Sequence, residues 1–120
     1  YYHTVLMTDC MRAGCMPNGQ YKLCDFPVVV EGGTARLMDE SHSLAGSILR
    51  LFEGVKNVFD WGIVSAEEAV RMASENPARS CGIDDVCGFI RPGYDADFIV
   101  VTKDLQLEET FLGGKSVYKA

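Results

Sequence analysis

Long apolar runs are missing from this sequence. None approaches the ~20 residues that a membrane-spanning helix needs. No basic start followed by an apolar stretch and a small-residue cleavage site is visible, so no signal peptide is expected. Basic residues are few as well: 11 Lys and Arg stand against 17 Asp and Glu, a formal net charge of −6. They are scattered and form no stripe, which argues against nucleic acid or an anionic membrane surface as a partner. A small anionic substrate stays open, because a local site can differ in sign from the whole. Histidine is scarcer still, with only His3 and His42. The five cysteines, Cys10, Cys15, Cys24, Cys81 and Cys87, are odd in number and show no C-x-x-C spacing. A disulfide framework or zinc knuckle is therefore not expected. Free thiols in a reducing, cytoplasmic setting are.

What is present is globular material. The chain has 120 residues and is 48% hydrophobic, enough for one small domain with its own core. It starts without Met, directly in strand-like sequence, which leads us to expect a piece of something larger. Residues 3–8 read as a strand apolar on both faces, the pattern of a buried parallel sheet. Asp9 stands at its end, and residues 10–20 read as a loop. Residues 21–38 read as a hairpin around Gly32-Gly33, with Pro27 restricted to an edge strand or a strand start. "SHSLAGS" reads as a polar, small-residue loop. Ile48, Leu51, Phe52, Val55, Val58 and Phe59 then recur at helical spacing. Ser47 is the expected N-cap of that helix and Gly62 its stop. Ser65 and Glu68 have capping-box spacing, and Asn76 is expected to cap a further turn beginning at Pro77. "DADFIVV", "LEETFL" and "KSVYK" read as three strands, the last two joined at Gly113-Gly114. The organisation is thus 1–20 for the strand and its loop, 21–38 for the hairpin, 39–87 for loop and helices, and 88–120 for a small sheet.

"TDCMRAGCMPNGQY", "SLAGSIL", "EEAVRMASENPARSCGI" and "GFIRPGYDADFIVV", in that order, resemble the C-terminal part of the N-acetylglucosamine-6-phosphate deacetylases, a branch of the metal-dependent amidohydrolase superfamily. The Gly88–Val100 segment is common to many amidohydrolases, and "NPAR" is little more specific. "TD-x-M-R-A-G" followed by "SLAGS" points to the deacetylase branch. Cys10 stands where that branch usually has Ala. The resemblance implies an α/β fold: the C-terminal fragment of a (β/α)8 barrel, its last strand and closing helices, plus part of a small β-sandwich. Residues 1–20 would carry the last barrel strand and the catalytic loop, with Asp9 at the face where barrel enzymes keep their chemistry.

The same resemblance makes Asp9 the general base and acid of an amide hydrolysis and assigns Leu44, Ala45 and Gly46 to the acetylated sugar. It implies a divalent metal, zinc, iron or manganese, with ligands outside this chain except for Asp9 itself as a candidate ligand. It also implies an amino-sugar phosphate as the small-molecule partner and a homo-oligomer. On spacing alone, Asp9 reads equally as a turn former, and residues 44–46 as a lead-in to Ser47. None of Arg12, Arg36, Arg50, Arg71 and Arg79 is assigned to the phosphate. Two other readings stand beside this one: a cyclic amidase or deaminase of the same superfamily, and a non-catalytic interaction module derived from the enzyme's end. A doubly apolar strand at 3–8 and a helix shaped to lie on a barrel lack their neighbours, so the isolated chain is expected to associate.

Overall fold

Alternating apolar residues on both sides of a glycine pair build the first sheet. The computed structural model describes residues 1–120, which divide into two compact units, Met7–Gly54 and Tyr1–Leu6 with Val55–Ala120. In Met7–Gly54, strands β1 (Gly19–Leu23), β2 (Phe26–Glu31), β3 (Thr34–Leu37) and β4 (Leu44–Gly46) form an antiparallel sheet in the order β1-β2-β3-β4. Val28 and Val30, two residues apart, share one face of β2 and are buried, as is Ala35 opposite Val30. Ala13, Val30 and Ala35 make the core of this unit, with Met11, Tyr21 and Ile48 packed on it. Gly32 and Gly33 both have positive φ, 56° and 76°, the left-handed pair that a tight hairpin turn demands.

Three expectations change here. Strand β1 begins at Gly19, inside the expected loop. Pro27 lies in β2, an interior strand, but as its second residue, so only the strand-start alternative holds. Residues 44–46 are a strand and not a loop. Ala45 and Gly46 are poor strand formers, but pairing with β3 decides the matter. Ala35 faces Gly46 and Arg36 faces Leu44, which leaves Ala45 as the extra residue of a bulge.

Helix α1 (Leu51–Asp60) starts later than the expected cap at Ser47. The Ser47 hydroxyl instead accepts from the Leu49 N–H at 3.1 Å. The cap of α1 is made by Glu53, whose carboxylate accepts from the Arg50 N–H at 2.9 Å. The stop at Gly62 is as expected: its N–H donates to Phe59 and the Ile63 N–H to Val58, at 2.9 and 3.2 Å, closing the orphan carbonyls of the last turn.

In the second unit, α2 (Ala66–Ala73) opens with the full capping box of Ser65 and Glu68. Helix α3 (Glu75–Cys81) contains Asn76 and is not capped by it. Asn76 is buried, and its amide reaches back to residues 1–4. Strands β5 (Phe98–Val101), β6 (Leu107–Leu112) and β7 (Lys115–Lys119) form an antiparallel sheet in that order. The Phe98 and Phe111 rings stack across it, 4.5 Å apart. At the β6–β7 turn, the Gly113 N–H donates to the Asp97 carboxylate at 2.7 Å.

Residues 3–8 form no strand. Val5 is 41% and Met7 69% exposed, and the Leu6 N–H donates to Met72 at 2.9 Å. A parallel strand exists only through the ladders on its flanks, and no strand of this chain runs beside it. No helix is long and apolar enough to cross a membrane. All five cysteines are free.

Candidate functional site

The site grows from the place where the 3–8 segment ends. Asp9 is exposed and has φ 44°, a left-handed backbone that Asp adopts more readily than most residues because its short carboxyl can bond locally. One residue on, Cys10 pairs with Ser47 in an isolated parallel bridge, and the Met11 N–H donates to the Ser47 carbonyl at 2.8 Å. The residues preceding that pair are Asp9 on one side and Gly46 on the other. The bridge thus brings the residue after Asp9 beside the residue after Gly46.

Beside this junction lies a cleft of about 570 Å³, lined among others by Asn18, Thr34, Leu44, Gly46, Ser47 and Arg50. Its volume is that of a small-molecule site. Of the residues expected from sequence, Leu44 and Gly46 line it, while Ala45, the bulged residue, and Asp9 do not. Leu44 is largely exposed. On one side Gly46 is bounded by Met11: a Cβ built on Gly46 would lie 3.4 Å from the Met11 sulfur.

Charge at the cleft is balanced locally. The Arg50 guanidinium bonds Glu53 through Nε at 2.9 Å and also through Nη2. The Arg50 side chain, and then its backbone N–H, hold the Glu53 carboxyl below the ordinary glutamate range. Asn18, Thr34 and the Arg50–Glu53 pair were not legible as site residues. Arg is not a capping residue type, so the three-residue spacing to Glu53 carries no recognisable signal.

His42 sits on the loop before β4 with φ 46°, and its carbonyl accepts from Arg36 at 3.0 Å. That loop is closed by Asp39, which accepts from the Ser41 N–H at 3.0 Å. The Ser41 hydroxyl is the main cause holding the Asp39 carboxyl low. His3 is exposed. As to a metal, no three His, Cys, Asp or Glu side chains come together as a ligand set. The residues of this chain therefore do not fit a metal centre by themselves.

Comparison with known proteins bears on the chemistry. The sequence model of the amidohydrolase family matches residues 11–117. The chain is 42% identical over 115 residues to an N-acetylglucosamine-6-phosphate deacetylase of Vibrio furnissii, covering 96% of this chain and 28% of that protein. It is 38% identical over 111 residues to an N-acetylgalactosamine-6-phosphate deacetylase of Escherichia coli O157:H7, covering 92% and 29%. Among solved structures it is similar to N-acetylglucosamine-6-phosphate deacetylase from Thermotoga maritima, with a TM-score of 0.84 at 33% identity, over 99% of this chain and 32% of that one. The chain thus spans under a third of the length of each of these three proteins.

Proposed function

This chain belongs to the amidohydrolase family, and from that premise we propose that it is the closing, C-terminal part of a deacetylase that converts N-acetylglucosamine 6-phosphate to glucosamine 6-phosphate and acetate. The observation that supports this reading is the backbone bridge of Cys10, which follows Asp9, with Ser47, which follows Gly46 and lines the cleft. The names of the similar enzymes supply the substrate class.

Asp9 takes the proton of the attacking water as the water oxygen bonds to the acetamide carbon. The tetrahedral adduct then collapses, the C–N bond breaks, and Asp9 returns that proton to the amine nitrogen. One water is consumed, and acetate and the amino sugar leave. Leu44, Ala45 and Gly46 hold the acetylated end of the sugar, with Leu44 and Gly46 on the cleft wall. A divalent metal, zinc, iron or manganese, would acidify the water when bound, on ligands contributed from outside this chain. Residues 1–20 would complete the last strand of a barrel whose other strands lie outside these residues, and residues 88–120 would complete a small β-sandwich. The cytoplasm is the proposed location and a homo-oligomer the proposed assembly.

The relative in Escherichia coli O157:H7 favours a second substrate, the galactose epimer. Acetate release by the full-length protein from both 6-phosphates, compared as kcat/KM, separates the two. Preference for the glucose epimer is expected. Activity on neither, with a cyclic amide or an aminated base hydrolysed instead, would overturn the deacetylase reading.

A further inference from the structure

Two lengths of chain must keep a fixed spacing for the proposed reaction, and one side chain lies between them. Met11 follows Asp9 by two residues, and its backbone is tied to Ser47. A Cβ built on Gly46 would lie 3.4 Å from its Sδ, 3.7 Å from its Cβ and 3.8 Å from its Cγ. Met11 is therefore the side chain that a methyl group at Gly46 would meet first. Met11 also packs on the core of Ala13, Val30 and Ala35. Strand β4 lies at the edge of its sheet, paired with β3. The bulge at Ala45 interrupts its ladder with β3, and a bulge bends the strand that carries it. The Cys10–Ser47 bridge is a single point, and one point does not fix a tilt. An unbranched thioether suits an irregular gap of this kind.

Resting on the deacetylase reading, we propose that Met11 is a positioning residue for the reaction: it wedges between the core and Gly46 and sets the spacing between the cleft-lining strand and the backbone that carries Asp9. Met11 is not among the residues that line the cleft. Its effect reaches the chemistry through the placement of residues 44–46.

The test is a kinetic cycle on the full-length protein, reading acetate release for wild type, Met11→Ala, Met11→Leu, Gly46→Ala and the double variant Met11→Ala with Gly46→Ala. Truncation uncovers Gly46, and kcat/KM is expected to fall about tenfold, within the roughly 10²-fold that a 1 Å misplacement can cost. Met11→Leu, close in volume, should retain most of the activity. In the double variant the new methyl group fills part of the vacated space, so about threefold of the loss should return, a coupling that neighbouring residues show. A methionine with only a structural role would lower the melting temperature without that kinetic coupling. Additive kinetics across the cycle, or wild-type kcat/KM in Met11→Ala, would overturn the role of Met11 alone. Should Met11→Ala fail to fold, Met11→Val runs the same cycle. An inactive wild type would instead overturn the deacetylase reading and the role of Met11 with it.

Discussion

The side-chain amide of Asn76 donates to two main-chain carbonyls from the other end of the sequence, Thr4 at 2.7 Å and Tyr1 at 3.0 Å. Asn76 is 6% exposed, although Tyr1 and Thr4 themselves are exposed, and the Tyr1 carbonyl also accepts from the Thr4 N–H at 3.1 Å. Truncation to Ala therefore removes the side-chain donor to Thr4 and one of two donors to Tyr1, which costs about 0.5–1.5 kcal/mol, the net worth of a typical hydrogen bond. Urea unfolding of Asn76→Ala should show that loss as a lower midpoint with an unchanged slope. A midpoint equal to wild type would mean that water replaces the amide without penalty.

Asp9→Asn keeps the size of the side chain and a residue type that tolerates left-handed φ. The fold and most substrate binding should survive in the full-length protein. With the proton carrier gone, kcat should fall about 10²–10⁴-fold, the usual contribution of a general acid–base group. Near-normal kcat with normal KM would remove Asp9 from the proton path.

Acid should loosen the start of α1. The folded state holds the Glu53 carboxyl below its ordinary value, chiefly through the Arg50 side chain. A depressed carboxyl contributes stability that is fully present above the unfolded value and is lost as pH falls through the folded one. Carbon-detected titration of Glu53 should therefore show a low midpoint, and Arg50→Gln should move it upward toward that of a free glutamate. A midpoint that stays where it was in Arg50→Gln would assign the shift to some other group.

The isolated 120-residue chain should self-associate and release no acetate when zinc, iron or manganese is added. Ile90 is 85% and Trp61 67% exposed, and burial of one large apolar side chain is worth roughly 1.5–3 kcal/mol. No metal ligand set forms within the chain. Light scattering and an acetate assay check the two halves of this expectation. A stable monomer with turnover above background would contradict both.

What the sequence discloses and what it conceals divide along one physical line. Gly32-Gly33, Gly113-Gly114, the stop at Gly62 and the Ser65–Glu68 box all work over a few residues, and each is found where its local pattern points. The burial of Val28 and Val30 but not Val29 was not legible in an unbroken apolar run; it follows from which face of β2 the core covers. Residues 3–8 fail because a strand needs neighbours that its own composition cannot supply. Leu44–Gly46 became a strand through β3, and Asn76 left its expected cap for carbonyls 72 and 75 positions away. At the candidate site, Leu44 and Gly46, singled out through family likeness, are found on the wall of the cleft, and Ala45 and Asp9 are not. The approach of Met11 to Gly46 was not legible, because it arises only once Cys10 meets Ser47, and the local Arg50–Glu53 pair was missed because Arg is not a capping residue type.

That meeting makes everything between the two residues a closed excursion. The chain leaves at Cys10, runs through the hairpin of β2 and β3, and returns at Ser47 beside its point of departure. The tip of that excursion is not free to vary, because Gly33 and Thr34 line the cleft and Gly32 and Gly33 hold φ angles that a side chain would strain. The β1–β2 turn at Cys24-Asp25 lines no part of the cleft, and doubling the length of a flexible loop costs only about 0.6 kcal/mol in closure entropy. Lineages can thus lengthen or decorate that turn while the fastening of Cys10 to Ser47 stays as it is.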